Sequence, residues 1–367
     1  MLKLLLNALL LIAIGTAPAL AAAKKPVKKK PVAQKVSTRV APRPPEPGPL
    51  YASRADAMQF ADDLAGRRGL DRTWVREAIG QANFLPAVPR LMRPAPGGTA
   101  KNWQAYRGRF IDGYRIAAGT AFWQANEASL QKAERQYGVP AEIIVGIIGV
   151  ETIYGQQMGN FRVMDALTTL AFDFPVEHPR AAERSAYFRS ELEQFLSLCN
   201  RTGVDPLEPR GSYAGAMGLP QFMPSSWIRH AIDFDGDGRI DLFTSPADAI
   251  GSVASYFRAY NWESGMATHY PVRLETERLD KEALLAPDIL PTFTVAGFAA
   301  RGAVLEGPAL QHPGALALVE LQNGSDAPPS YVAGTHNFYV ITRYNQSSYY
   351  AMAVIELGQE VRAAMGR

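Results

Sequence analysis

Apolar residues recur at helical spacing along most of the chain between residues 50 and 265. Positions three and four apart share one face of a helix, so this pattern indicates amphipathic helices packed on a common core. The predicted helices cover residues 52–67, 71–81, 117–137, a segment around Glu151, 165–169, 180–199, 247–260 and 351–365.

Between residues 272 and 344 the pattern changes to short apolar stretches separated by Gly, Pro, Asn and Asp. Such stretches favour strands and turns, and residues 315–321 and 336–342 are the predicted strands. The fold class is therefore predicted to be mainly α (α+β). We expect a helical body over 50–271, a small β-containing insertion over 272–335, and a return to the core over 336–367.

Glu151 is an acidic residue on the apolar face of its predicted helix. Ile144, Ile147 and Ile148 precede it by seven, four and three residues, so the carboxyl group shares their face. Burial beside isoleucines disfavours the charged form and raises the pKa of the carboxyl group, as general acid catalysis requires. The alternative is a structural Glu paired with an arginine.

The first 21 residues have the pattern of a secretory signal peptide. Lys3 gives a positive start, residues 4–14 are apolar, and Ala19-Leu20-Ala21 resembles a cleavage site. The apolar stretch is shorter than the roughly 20 residues that span a bilayer. We therefore expect export, cleavage near Ala21 and a periplasmic location, with no stable membrane anchor.

Charge is distributed unevenly along the chain. The formal net charge is +3, yet residues 24–49 contain eight Lys or Arg and one Glu. Without that segment and Lys3, 29 basic residues face 34 acidic ones, so the remainder is acidic. Residues 22–49 are predicted to form a disordered, basic Pro/Lys-rich linker. No basic stripe with aromatic residues follows, so nucleic-acid binding is not expected.

A glycine-rich segment covers residues 211–226 and contains Ser212, Gln221, Phe222 and Met223. Its small residues permit close approach of the backbone to a ligand, and its polar residues offer hydrogen bonds. The alternative is a tightly packed turn before a helix. The segment alone favours neither interpretation.

Together, Glu151-Thr-x-x-Gly and Ala214-Gly-Ala-Met-Gly-x-x-Gln-Phe-Met-Pro-Ser-Ser resemble the lytic murein transglycosylases of the membrane-bound transglycosylase B type. The resemblance covers roughly residues 51–366. It includes the segments that begin at Phe188, Asp248 and Asn337, in the family's order. It implies a lysozyme-like catalytic core with a helical domain and a small β domain.

The resemblance also implies an activity. The family cleaves the β-1,4 bond between N-acetylmuramic acid and N-acetylglucosamine in peptidoglycan, and it leaves 1,6-anhydro-muramic acid ends. Glu151 matches its single acid/base, and the glycan strands are the expected substrate. The family's sugar-binding positions match Ser212, Gln221, Tyr256, Tyr344, Asn345 and Tyr350.

A second acidic segment has the spacing of a calcium loop. Asp233, Asp235 and Asp237 stand at positions one, three and five, with Gly238 at position six. Position twelve is Thr244, where a bidentate Glu is usual. The resemblance assigns that ligand to Asp248 and a backbone carbonyl to Arg239. We therefore expect an EF-hand-like loop over 233–248 that binds a structural calcium ion.

Other chemistries find little support. The five histidines are dispersed without metal-ligand spacing, and no Gly-x-Ser-x-Gly motif is present. Cys199 is the only cysteine, so no internal disulfide can form, and no cysteine stands at the cleavage site for a lipid anchor. No organic cofactor is expected. The alternatives to a transglycosylase are a hydrolytic muramidase and a non-catalytic, calcium-stabilised peptidoglycan-binding scaffold. Cell-wall synthases or hydrolases are possible partners.

Overall fold

The computed structural model describes residues 48–93, 101–325 and 327–367. The predicted signal peptide (1–21) and all but the last two residues of the predicted linker (22–49) lie outside the described residues. Within the described part, none of the helices combines the length and apolar character needed to cross a membrane.

Helices make up most of the described chain. Polar residues before many first turns, such as Asp71 and Ser245, accept a backbone N–H and so define the start of a helix. The helices are α1 (Ala55–Arg68), α2 (Arg72–Gly80), α3 (Ala87–Leu91), α4 (Trp103–Arg107), α5 (Gly113–Ala125), α6 (Glu127–Tyr137), α7 (Ala141–Thr152), α8 (Val163–Phe172), α9 (Ala181–Thr202), α10 (Pro224–His230), α11 (Pro246–Ala259), α12 (Lys281–Leu285), α13 (Val295–Ala299), α14 (His336–Ile341) and α15 (Ser348–Ala364), with 3₁₀ turns at Tyr51–Ser53 and Gly307–Gln311.

The strands are short and pair only in antiparallel fashion among the described residues. They form two two-stranded sheets, β1–β2 and β4–β5, and one three-stranded sheet in the order β3-β7-β6. The strands are β1 (Phe161–Arg162), β2 (Arg210–Gly211), β3 (His269–Pro271), β4 (Arg273–Leu274), β5 (Ala303–Val304), β6 (Ala317–Leu321) and β7 (Ser330–Gly334).

Helix α7 lies at the centre of the main core. Ten of its twelve residues are buried, and it packs on α15 as well as on α5, α6 and α11. A second, smaller core includes Leu284, Phe298, Leu305 and Leu318, so the region after residue 272 has its own apolar interior. The predicted α+β fold class is confirmed. The exact boundaries at 271 and 335 stay predictions.

The strand predicted over residues 336–342 is wrong, because this segment forms helix α14. Thr335 accepts the backbone N–H of Asn337 and starts the helix. The Asn337 side chain then donates to the carbonyls of Glu263 (2.7 Å) and Met266 (2.9 Å). These tertiary bonds override the β propensity of Phe338, Tyr339 and Val340.

The single helix predicted over residues 117–137 is also wrong. The structure has two helices, α5 and α6, which meet at Asn126. The Asn126 side chain donates to the carbonyl of Phe122 at 2.8 Å, and its backbone leaves the helical region at φ −120°. Asparagine competes for backbone hydrogen bonds in this way, which interrupts a helix without a proline or glycine.

Candidate active site

Glu151 lies in the last turn of α7, and its side chain is half-buried at the wall of a groove of about 440 Å³. Ile144, Ile147 and Ile148 on the same helix are fully buried. Among the described residues no basic side chain forms an ion pair with Glu151. The arginine partner that the structural alternative requires is therefore missing from the described part.

The one side chain bonded to Glu151 in the described part is Tyr350, whose hydroxyl donates to Oε1 at 2.5 Å. Tyr350 lies in the first turn of α15, where Ser347 accepts its backbone N–H. Two glycines allow α7 and α15 to approach closely: a Cβ on Gly146 would lie 2.2 Å from the carbonyl oxygen of Val354, and one on Gly358 would lie 2.1 Å from that of Glu142. This close packing places Tyr350 next to Glu151.

Burial raises the pKa of Glu151 from its ordinary value of 4.5 to about 7, and the hydrogen bond from Tyr350 opposes this rise. Burial also raises the pKa of the Tyr350 hydroxyl well above 10, and the negative charge of Glu151 raises it further. Near neutral pH the site therefore contains a carboxyl group that can both release and accept a proton, beside a phenol that remains protonated.

The chain leaves α7 through a strained turn. Ile153 and Tyr154 both have positive φ, 50° and 56°, which is rare for a β-branched or bulky residue. Gly155 follows them with φ 89°. Thr152 holds this turn, because its hydroxyl oxygen accepts the N–H of Gly155 (3.0 Å) and its proton reaches the carbonyl of Leu219 (2.9 Å).

The glycine-rich segment forms the floor of the groove. Ser212 accepts the backbone N–H groups of Ala214 (3.3 Å) and Ala216 (3.1 Å), which leaves its hydroxyl proton outside these two bonds. Gln221, at φ 50°, donates its amide N–H groups to the carbonyls of Met158 (3.1 Å) and Gly218 (2.9 Å). Both side chains line the groove, where their remaining polar atoms can contact a ligand.

Aromatic residues form one side of the groove. Tyr256 and Tyr344 pack with ring centroids 4.8 Å apart, and Tyr344 stacks on Tyr350 at 6.4 Å. Their hydroxyls donate to backbone carbonyls, Tyr256 to Arg343 and Tyr344 to Pro220, both at 2.6 Å. The rings are therefore fixed before any ligand binds. Asn345 lines the same groove with a buried Oδ1 that has no partner in the described part.

The structure thus places Glu151, Ser212, Gln221, Tyr256, Tyr344 and Asn345 around one groove, with Tyr350 behind the acid. Sequence reasoning missed Tyr187 and Glu191 on α9, and Arg229 and Arg343. Glu191 is 2% exposed and accepts the N–H (2.9 Å) and hydroxyl (2.6 Å) of Ser225. Burial raises the pKa of this second carboxyl group. Only its place in the segment Phe188-Arg-Ser-Glu191 hinted at the site.

The acidic loop lies apart from this groove lining. Asp233, Asp235 and Asp248 each offer one oxygen atom, and these atoms lie within 4.8 Å of one another. Asp248 is 1% exposed and accepts the N–H groups of Phe234 (2.7 Å) and Asp241 (2.8 Å). A cluster of carboxylate oxygens fits the preference of calcium for hard ligands.

Two of the predicted calcium ligands are not in this cluster. The Asp237 carboxylate instead pairs with the guanidinium of Arg239 at 3.4 Å, and the Arg239 side chain is exposed. Thr244, at loop position twelve, donates its hydroxyl to Asp241. Burial would raise the pKa of Asp241, but hydrogen bonds from Thr244 and Phe243 outweigh it and lower the pKa.

Comparison with known proteins gives one family. Residues 52–359 match the family described as Transglycosylase SLT domain. The chain is 41% identical over 331 residues to the membrane-bound lytic murein transglycosylase B of Escherichia coli strain K12, and the match covers 86% of this chain and 84% of that protein.

Solved structures agree. The Escherichia coli lytic transglycosylase SLT35 in complex with bulgecin A is 41% identical and covers 87% of this chain and 96% of its own, with a TM-score of 0.75. The same enzyme in complex with calcium gives 0.74 at the same identity and coverage. SltB3 from Pseudomonas aeruginosa, in complex with NAG-anhNAM-pentapeptide, is 28% identical with a TM-score of 0.68, and covers 83% of this chain and 79% of its own.

Proposed function

The chain belongs to the transglycosylase SLT domain family and is a lytic transglycosylase that acts on peptidoglycan; we propose that Glu151 is its single acid/base. The relatives support this activity rather than a hydrolytic muramidase or a non-catalytic scaffold. The observation that carries the assignment is the carboxyl group of Glu151, which lines the groove and is bonded by a tyrosine instead of a cation.

The proposed reaction needs one carboxyl group. Protonated Glu151 gives its proton to the oxygen between the muramic acid and the glucosamine as that bond breaks. The carboxylate then accepts the proton of the C6 hydroxyl of the muramic acid, whose oxygen bonds to C1. The product is a 1,6-anhydro ring, no water is consumed, and Glu151 returns to its protonated form.

The remaining groove residues are proposed to bind and orient the sugars. Tyr256 and Tyr344 present fixed aromatic surfaces for sugar rings, while Ser212, Gln221 and Asn345 present hydrogen-bonding groups for acetamido and hydroxyl groups. Tyr350 keeps Glu151 in place and stabilises its carboxylate by donating a hydrogen bond. The acetamido group of the substrate is proposed to stabilise the cationic centre at C1, which replaces a second carboxylate.

The test is mass spectrometry of the soluble products that the enzyme releases from purified peptidoglycan. The native enzyme should release anhydro-muropeptides, and Glu151→Gln should lower their rate of formation by about 10³-fold, within the range for loss of a general acid. Glu191→Gln is the matched control, because it changes the other Glu that lines the groove. Equal losses in both variants would contradict a single acid.

We also propose that Asp233, Asp235 and Asp248 hold a structural calcium ion, with Asp237 and the Arg239 carbonyl as further ligands. Support comes from the converging oxygen atoms and from a relative solved in complex with calcium. The ion would join the start of α11 to the loop that follows α10. Calorimetry of chelator-treated protein should detect calcium binding and a rise in melting temperature. Absence of both would remove the site.

We propose that the protein is exported to the periplasm, because its peptidoglycan substrate lies there and residues 1–21 have the pattern of a signal peptide. The Escherichia coli relative is described as membrane-bound. For this chain, a soluble form without a stable anchor stays a prediction, as do partnerships with cell-wall synthases or hydrolases. Fractionation of cells that express the tagged full chain would test the location.

A further inference from the structure

Two arginines line the groove together with Tyr256 and Tyr260, whose ring centroids are 4.6 Å apart. Arg229 comes from α10 and Arg343 from the turn after α14, and both line the groove. Burial raises the pKa of Tyr256, and the positive charges of Arg229 and Arg343 both oppose this rise. Both guanidinium groups therefore lie near the same phenol. We call Arg229, Arg343, Tyr256 and Tyr260 the cationic end.

Neither arginine forms an ion pair with a carboxylate in the described part of the chain. Arg229 is exposed, and within the described part of the chain it donates to Ser225 alone, to its carbonyl at 3.0 Å and its hydroxyl at 3.1 Å. Arg343 stacks over the ring of Tyr339 at 4.7 Å, and its buried Nε makes no hydrogen bond among the described residues.

Neither acid of the groove forms an ion pair with these arginines in the described part of the chain. The charge of Arg229 opposes the rise in the pKa of Glu191, but the carboxylate of Glu191 accepts hydrogen bonds at 2.9 and 2.6 Å from Ser225. Glu151 is bonded by Tyr350. Elsewhere the described arginines commonly pair with acids, as Arg72 does with Asp62 at 2.6 Å. Two guanidinium groups that form no ion pair within the described part of the chain are suited to a carboxylate that the ligand supplies.

We propose that the cationic end binds the carboxylate carried on the 3-O-lactyl branch of muramic acid, and so selects muramic-acid-containing strands over glycans without carboxylates. The inference rests on the proposed function, because it assumes that the groove holds glycan strands. The carboxylate has two sources. In strands without peptides it is the lactyl group itself, and in strands with peptides it belongs to the peptide branch.

The experiment measures dissociation constants in the Glu151→Gln background, which limits cleavage during the measurement. Three probes are compared: a short oligomer of N-acetylglucosamine, peptide-free glycan strands and peptide-bearing strands. Arg229→Gln should raise the dissociation constant for at least one carboxylate-bearing probe about tenfold relative to the carboxylate-free oligomer. Added salt should reduce this difference. Arg258→Gln is the matched control, since Arg258 is exposed on α11 and outside the groove lining.

The pattern of loss identifies the carboxylate. Loss on peptide-free strands assigns the lactyl group, and loss confined to peptide-bearing strands assigns the peptide. An equal change for all three probes, or no change for any, would overturn the proposal. Arg343→Gln gives a second test, with its melting temperature as a check on folding. Fragment release by the Glu151→Gln protein itself would contradict the role of Glu151 and would be detected separately in the same samples.

Discussion

Glu151 and Asp248 are acidic residues that lie at opposite ends of their helices. Glu151 stands in the last turn of α7, where the unpaired helix carbonyls disfavour negative charge, and its one side-chain hydrogen bond among the described residues comes from Tyr350. Asp248 stands in the first turn of α11 and accepts backbone N–H groups on both oxygens. Burial in the last turn of α7 thus favours the protonated form of Glu151, whereas backbone N–H groups point at the carboxylate of Asp248.

The largest expected effect concerns the stability of Glu151→Gln. Because folding raises the pKa of Glu151 from 4.5 to about 7, its contribution to stability is complete below pH 4.5 and is lost as pH rises through 7. The native protein should lose up to about 3 kcal/mol relative to the variant by pH 9. Denaturant unfolding at several pH values measures this difference.

The control for that experiment is Glu282→Gln, which changes an exposed Glu on α12. Its unfolding free energy should stay close to that of the native protein at every pH. If the Glu151→Gln curve ran parallel to the native curve, the carboxyl group would have its ordinary pKa, and the contrast with Asp248 would fail.

A second, smaller effect is expected at the other carboxylate. Asp248→Asn replaces an acceptor oxygen with an amide that faces the N–H of Asp241, so it should destabilise the protein by about 2 kcal/mol. It should also remove the rise in melting temperature on calcium addition. Asp237→Asn, at an exposed position outside the oxygen cluster, should cost less in both measurements. If Asp237→Asn had the larger effect on stability and on the calcium-dependent melting temperature, Asp237 and not Asp248 would be the main ligand of the loop.

The smallest effect concerns the hydrogen bonds that link the turn after Glu151 to the acidic loop. The Thr152 hydroxyl donates to the carbonyl of Leu219, and the N–H of Leu219 donates to the carbonyl of Leu242 within the acidic loop. Thr152→Val should destabilise the protein by about 1 kcal/mol and lower kcat more than it raises KM, because it loosens the turn after Glu151. Thr152→Ser should restore both. A Ser variant as impaired as Val would show that the methyl group, not the hydroxyl, matters.

The sequence revealed those features that depend on local spacing. Four-residue and three-residue intervals placed Glu151 on an isoleucine face, and alternating aspartates from Asp233 indicated the acidic loop. Both signals lie within one or two turns of chain. The mainly helical fold was predictable for the same reason, since apolar periodicity is local.

Features that depend on tertiary packing were not predictable in the same way. The resemblance pointed to Tyr350, but its bond to Glu151 spans 199 residues and needs the close packing of α7 on α15. Glu191 looks like an ordinary charged residue of an amphipathic helix until its bond to Ser225 is known. The helix at His336–Ile341 likewise depends on contacts of Asn337 with Glu263 and Met266, far along the chain.

The contribution of the C-terminal segment, residues 343–364, to the active site has a consequence for the timing of activity. Tyr344, Asn345 and Tyr350 are synthesised about two hundred residues after Glu151. The close packing of α7 on α15 also needs the contacts of Gly146 with Val354 and of Glu142 with Gly358. A nascent chain that ends before residue 343 therefore lacks Tyr344 and Asn345 of the groove and also Tyr350, the hydrogen-bond partner of Glu151. An enzyme able to cut the wall around its own cell thus gains a complete active site only when its synthesis is nearly finished.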